Sequence, residues 1–285
     1  MALFSGDTLF AGDVGRPEKI SSTPFTTVGE EAQTNWALQL NDRATFVEAM
    51  VANLPERPPY FARSVAINLR GAPFLSDLPA LAHLPPAEYN QLKEKGANIL
   101  DVRPGPLFGD AHAANSLNIG IASPSFSVWS GFFVNPDLPI VLVVESAMQT
   151  QEAQLELARI GFDQVIGFIT ADDLEEKQQI SQIAARDFLT SLESQQRPLI
   201  LDVRSAQEWS QDHLEGAIHI ALSQLLGGIG ELSRKAPLTV LCGSGYRSSI
   251  AASLLESKGF ERLTNVMGGM QAVRHGLCRA KECDR

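Results

Sequence analysis

The chain is poor in cysteine, in basic residues and in long apolar runs, and each shortage removes a class of function. Only three cysteines occur among 285 residues: Cys242, Cys278 and Cys283. That is no disulfide framework. Cys278 and Cys283 lie in the polar tail CRAKECDR, where two exposed thiols are the plain expectation and a resolving thiol for Cys242 the sharper one. The spacing is wrong and the partners are missing for a four-ligand zinc site. Lysine and arginine total 23 against 33 acidic residues, a formal net charge of −10. A nucleic-acid or anionic-membrane surface needs clustered cations, so neither partner is expected. No apolar stretch is long enough to span a bilayer. The start, MALFSGDTLF, lacks the basic region and apolar core of a signal peptide. A cytoplasmic protein is the expectation.

What is present is repetition. The length suggests about two domains, and NILDVR (98–103) recurs as LILDVR (199–204). AHAANSLNI (111–119) recurs loosely as DHLEGAIHI (212–220). PIVLVVESAMQTQEAQLELARIGF (139–162) recurs without a gap as PLTVLCGSGYRSSIAASLLESKGF (237–260). Two tandem units of about 100 residues follow, a common domain size. The runs ILDV, IVLVV, LILDV and LTVL read as strands covered on both faces, with helical patterns between them. The alternation predicts an α/β fold, each unit a parallel sheet flanked by helices. Ile250, Ala251, Leu254 and Leu255 fall on one helical face, with Lys258 in the last turn and Gly259 as cap. Residues 20–82 read as a connector with helices over 34–51 and 59–69, broken at LPERPPY.

In such sheets a site sits at the carboxyl ends of the strands, and Cys242 is in that place. A thiol attacks as its thiolate, which helix N-termini and nearby cations favour. Gly243, Ser244 and Gly245 let the backbone curl, so that several N–H groups aim at one point. A helix starting near Arg247 adds its positive end. Arg247 and Ser248 can bind or orient an anion. A merely buried cysteine is the bland alternative, but two glycines, an arginine and a serine are a poor way to fill a core.

CGSGYRS after an apolar strand, with LDVR and DHLEGAIHI upstream, resembles the rhodanese (sulfurtransferase) superfamily, roughly over 83–277 as a tandem pair. The resemblance implies that Cys242 attacks the outer sulfur of a donor such as thiosulfate and becomes a persulfide. An acceptor thiol or cyanide then removes that sulfur. The backbone from Gly243 through Ser244, Gly245 and Tyr246 to Ser248 would hold the persulfide, as an oxyanion hole does. Arg247 would bind the anionic donor or order the loop. Four residues separate Cys242 from Arg247, the sulfurtransferase length. Related phosphatases and arsenate reductases have one more, which makes a phosphatase the runner-up. Asp202 and Arg204 resemble an architectural pair, with Asp202 a candidate to position the loop. His213 is expected to make a structural hydrogen bond, and Glu208 and Trp209 to serve packing and surface. GGMQAVRHGL resembles the family's final segment, with Val273 where an aromatic is usual.

Aligning Gly161 with Gly259 puts Val144 opposite Cys242 and Gln149 opposite Arg247. A valine cannot carry sulfur, so the first unit is expected to be catalytically silent, a packing partner or a docking platform. At the start, SGDTLFAGDVGRPEK resembles the late portion of a metallo-β-lactamase-fold domain, in the branch with persulfide dioxygenases. That resemblance makes Asp7 a metal ligand. The family's HxHxDH segment is absent, and His83, His112, His213, His219 and His275 are not placed to complete a site. No metal and no cofactor are expected. The expected organisation is a remnant (1–19), a helical connector (20–82), a silent rhodanese-like domain (83–180) and an active one (181–278). The expected activity moves sulfane sulfur from thiosulfate or a persulfide to a thiol, with a protein as a further candidate donor or acceptor. The alternatives are a non-catalytic sulfur-relay or binding module and a metal-dependent persulfide dioxygenase fusion.

Overall fold

The computed structural model describes residues 9–10, 13–14, 26–52, 57–194 and 197–283. The chain divides into two compact units, 1–57 and 58–285, a division that falls in the LPERPPY break. In the first unit, β1 (Leu9–Phe10) and β2 (Asp13–Val14) pair antiparallel. Helices α1 (Val28–Thr34) and α2 (Arg43–Val51) follow, separated by a 3₁₀ turn at Trp36–Gln39. The continuous helix expected over 34–51 is therefore broken. Asn35 accepts from the Ala37 amide at 3.1 Å and Asp42 from the Thr45 amide at 2.8 Å. Both side chains cap new helical starts and compete with a continuing helix.

The second unit begins with α3 (Phe61–Arg70), whose Arg63 Nε donates to the Gly161 carbonyl at 3.0 Å. Then come α4 (Pro86–Glu94), β3 (Asn98–Asp101), α5 (Gly105–Asp110), β4 (Leu117–Asn118), α6 (Phe126–Phe133), β5 (Ile140–Val144), α7 (Met148–Ala158) and β6 (Val165–Thr170). The second run comprises β7 (Ser181–Ile183), α8 (Ala185–Leu192), β8 (Leu199–Asp202), α9 (Ala206–Gln211), β9 (Ile218–His219), α10 (Leu225–Gly228), β10 (Leu238–Leu241), α11 (Tyr246–Ser257), β11 (Leu263–Val266) and α12 (Gly269–Cys283). The sheets run β4-β3-β5-β6 and β7-β11-β10-β8-β9, and every pairing in them is parallel. His83 bridges Phe168 of β6 in parallel, where β7 flanks β11 in the other sheet. The α/β class with parallel sheets flanked by helices is thus observed, and the two sheets share one strand order. β5 and β10 are buried at every residue, as central strands covered on both faces must be.

The sequence repeat is matched atom by atom. Arg103 grips Asp101 and the Ala111 carbonyl, and Arg204 grips Asp202 and the Asp212 carbonyl. α7 and α11 both end with a left-handed glycine followed by phenylalanine. Phe162 N–H donates to the Leu157 carbonyl and Phe260 N–H to Leu255, the bond that closes a Schellman cap. Asn115, at φ 61°, occupies the position that Gly216 fills at φ 77°. Nothing lies within 4 Å of a Cβ built on Gly216. Gly216→Ala therefore isolates the backbone cost of a left-handed residue. Chemical denaturation should show a loss of about 1 kcal/mol.

α11 buries the face that carries Ile250, Ala251, Leu254 and Leu255, and more: Ser248 through Leu255 are all buried. The first sheet covers its other side. Ser249 Oγ donates to Asn118 Oδ1 at 2.6 Å, and the Asn118 amide donates to Ser253 Oγ at 3.1 Å. His112, itself buried, places Nδ1 on the Phe108 carbonyl and Nε2 on Glu256, each at 2.8 Å. The small serines admit β4 closely, and their hydroxyls satisfy polar groups that would otherwise be stranded. One continuous core runs through both sheets as a result. No described helix is long and apolar enough to cross a membrane.

Candidate active site at Cys242

Cys242 is the first residue after β10, a strand flanked by β8 and β11, and it is 0% exposed. The chain then turns sharply. Gly245 sits at φ 93°, and a Cβ there would lie 3.1 Å from the Gly268 nitrogen. This turn brings the Gly245 amide to Cys242 Sγ at 3.2 Å, and Ser248 Oγ to the same sulfur at 3.3 Å. Gly245 is also the N-cap of α11 and has no side chain to cap it. The first-turn amides of Tyr246, Arg247 and Ser248 have no carbonyl within the helix to receive them. A positive helix end thus faces the sulfur.

Arg247 lies in a half-buried fork. Its two terminal nitrogens donate to the two Glu208 oxygens, each at 2.6 Å. Glu208 also accepts from the Ser205 amide and hydroxyl, closing a capping box at the start of α9. The Arg247 hydrogen bonds pull the Glu208 carboxyl down to about 2, against the cost of burial. Glu208 in turn raises Arg247 above the ordinary arginine value. By sequence alone Glu208 serves packing and surface. Its role depends on an approach across 39 residues that no local pattern carries. A carboxylate with a depressed pKa contributes its full stability above its usual value of 4.5, and loses it progressively as pH falls from there through about 2. Glu208→Gln should therefore loosen the loop throughout pH 5–8. If Cys242 forms the persulfide that the sequence resemblance implies, stopped-flow measurement of that step should show a fall of roughly tenfold, the worth of a charge-assisted pair.

A second glycine pair holds the loop from the other side. Gly268 and Gly269 are left-handed at φ 72° and 54°. The next amides donate into the loop, Met270 N–H to the Cys242 carbonyl at 2.7 Å and Gln271 N–H to the Gly243 carbonyl at 3.0 Å. GGM was legible only as a resemblance, because its use is contact with a loop 26 residues upstream. Val273, where an aromatic is usual, is 0% exposed and packs with Phe188, Ile200 and Leu241.

The remaining expected residues are placed as follows. Asp202 and Arg204 are buried, and both Asp202 oxygens engage Arg204. The pair ties the end of β8 to the loop at Asp212, an architectural position. His213 is exposed, puts Nδ1 on the Trp209 carbonyl at 3.0 Å and stacks on that indole. Ser244 is exposed at the loop tip. Tyr246 Oη donates to the Gly120 carbonyl at 3.2 Å, and burial pushes its pKa up to about 12, so it stays a donor at neutral pH.

In the first sheet, Val144 and Gln149 stand where Cys242 and Arg247 stand in the second. Gln149 Oε1 accepts from the Glu145 amide at 2.8 Å, so the loop is closed by its own side chain. Asp7 lies outside the described residues, as do the side chains of Cys278 and Cys283. Among the described residues no group of three His, Cys, Asp or Glu side chains is placed to hold a metal.

A cleft of about 680 Å³ opens over the loop. Ser244 to Arg247, with Asn265, Met267 and Gly268, make one wall. Gly120, Ser123, Trp129 and Gln149, all from the first-sheet half, make the other.

Residues 185–275 match the sequence family described as the rhodanese-like domain. The chain is 32% identical over 97 residues to the "putative sulfur carrier protein YrkF" of Bacillus subtilis (strain 168), covering 34% of this chain and 52% of that protein. It is 28% identical over 76 residues to the "thiosulfate sulfurtransferase GlpE" of Tolumonas auensis, covering 27% of this chain and 72% of that one. The chain thus spans about half the length of the first of these relatives. A crystal structure of a metallo-beta-lactamase from Staphylococcus aureus subsp. aureus COL overlaps 60% of this chain and 57% of its own, with a TM-score of 0.50 and 24% identity. That likeness is one of fold. The matched stretch, 185–275, holds β8 to β11 of the second sheet and the helices between them.

Proposed function

We propose that the chain is a rhodanese-type sulfurtransferase in which Cys242 carries sulfur as a persulfide. The observation that supports this most is the sulfur at the uncapped start of α11, receiving hydrogen bonds from the Gly245 amide and the Ser248 hydroxyl. These donors favour a sulfur anion, and the first-turn amides continue the cradle outward to a second sulfur atom. In the first half-reaction the Cys242 thiolate attacks the sulfane sulfur of the donor. The donor's S–S bond breaks and its electron pair leaves with sulfite, when thiosulfate is the donor, or with a thiolate, when a persulfide is. In the second, an acceptor thiolate attacks the outer sulfur of Cys242–S–S⁻. The acceptor becomes the persulfide and the Cys242 thiolate returns. No net redox change occurs in the protein and no cofactor is consumed.

Arg247, spent on Glu208, orders the loop in this mechanism rather than gripping the donor. Asp202 and Arg204 support the strand end. The unit at 83–180 is the silent domain, and the unit at 181–278 the active one. The alternative is a relay module that passes sulfur between partners without turning over small donors. The full burial of Cys242 favours it, since a protected sulfur suits a carrier. Incubation with thiosulfate, removal of the excess and intact-mass measurement test the first half-reaction. Addition of cyanide or a thiol tests the second. One added sulfur that the acceptor removes supports the transferase. Sulfur that loads from a partner persulfide alone supports the relay. A folded protein that gains no sulfur from any donor overturns both.

A further inference from the structure

The cleft over Cys242 has a chemistry that the sulfur step does not explain. Among the described residues that line it, Arg247 alone carries a charge, and Glu208 already takes both of its terminal nitrogens. A small dianion such as thiosulfate therefore finds no unpaired cation on these walls. Ile121, Trp129 and Met267 contribute to the cleft's apolar surface. Trp129 stacks on Phe133, with ring planes 7° apart. A volume of about 680 Å³ is also far more than one sulfur oxyanion fills.

One polar residue of the cleft wall is Asn265, on β11 beside Val240 of β10 and only 4% exposed. Its Oδ1 is buried and has no hydrogen-bond partner in the protein. Stranding an amide oxygen in this way costs free energy, and native proteins rarely tolerate it without a use. Its neighbour across the ladder is Gln182, whose Nε2 is satisfied by the Pro106 carbonyl and Asp110. Gln182 Oε1, like Asn265 Oδ1, finds no donor. Of the two, Asn265 lines the cleft, and its unpaired oxygen calls for a ligand that brings an N–H or O–H group.

We propose that Asn265 is a specificity-determining residue, and that the cleft takes a low-molecular-weight thiol or its persulfide with an uncharged, amide-bearing body. The amide N–H would donate to Asn265 Oδ1, the carbon skeleton would lie against Trp129, and the sulfur would point to the loop of Cys242. This substrate class deepens the sulfurtransferase reading and rests on it for the chemistry, but recognition can be measured without turnover.

Two matched thiols separate the amide from everything else: N-acetylcysteamine, and 2-mercaptoethyl acetate, in which an ester oxygen replaces the N–H. Their dissociation constants are to be measured by calorimetry on the reduced, full-length protein. We expect N-acetylcysteamine to bind about fivefold tighter, the worth of one buried neutral hydrogen bond. In Asn265→Leu, which is close to isosteric, that preference should fall to about one. The melting temperature should hold or rise, because an unsatisfied polar atom has been removed. Asn265→Ser, which withdraws the oxygen from the cleft, serves in place of the leucine variant if that one does not fold. Trp129→Ala should weaken both thiols together and leave their ratio alone. Equal affinities in the wild type, an unchanged preference in the Asn265 variants, or no binding of either thiol at millimolar concentration would each overturn the proposal. Sulfur uptake from thiosulfate by the same preparation tells a failed recognition from a failed sulfurtransferase: uptake with no thiol preference sinks the recognition alone.

Discussion

Cys242→Ala is expected to take up no sulfur from thiosulfate or any persulfide, while the wild type gains one atom. The steady-state rate should fall by at least about a thousandfold, since covalent relay is lost with the nucleophile. The substitution removes one buried sulfur atom from a packed site, so it should lower stability by only about 1 kcal/mol. Loss of function with retained folding is thus the anticipated result. The silent half supplies the complementary test. Val144→Cys puts a thiol at the equivalent strand end, but Gln149 Oε1 already occupies the Glu145 amide and no arginine–glutamate fork exists there. It should remain unloaded beside a loaded Cys242. If Val144→Cys loads as readily as Cys242, the cradle around α11 is not what makes the sulfur reactive. If Cys242→Ala still gains sulfur, the carrier is another cysteine and the proposed site is wrong.

The fold was legible because its signals are local. The strand runs, the Gly-Phe helix ends and the matched LDVR segments each announce an element without reference to a distant partner. The cysteine loop was legible for the same reason, being one short stretch between a strand and a helix. What escaped were features made by approach across the chain. Glu208 looks like an exposed helical residue until β8 and β10 lie side by side and Arg247 reaches it. Ser249 and Ser253 look like the polar face of α11 until Asn118 arrives from the other sheet. Asn265 looks like any strand residue until its oxygen is found without a donor. The expected helix over 34–51 failed for a different reason. Its periodicity was read across Asn35 and Asp42, whose capping chemistry is as local as the periodicity and outweighs it.

Gly269→Ala should be the most damaging single-atom change outside the cysteine. At φ 54° an L-residue is strained by about 1–2 kcal/mol whatever surrounds it. Here the added Cβ also collides with the Cys242 carbonyl oxygen, and would lie 2.7 Å from the Gly243 carbonyl carbon and the Ser244 nitrogen. All three are backbone atoms, so no side chain can swing away. The loop must retreat, and the Met270 and Gln271 amides then lose the Cys242 and Gly243 carbonyls. The Gly245 amide and Ser248 hydroxyl are expected to lose Sγ with them, because the same short loop carries all these groups. Persulfide formation should drop a hundredfold or more, and stability by about 3 kcal/mol. Gly216→Ala is the control, since it pays the same left-handed penalty with nothing within 4 Å of its Cβ. The difference between the two variants measures the collision alone. Should Gly269→Ala form persulfide at the rate of Gly216→Ala, the position of the Cys242 carbonyl against α12 is irrelevant to the chemistry, and the cradle must be rigid by other means.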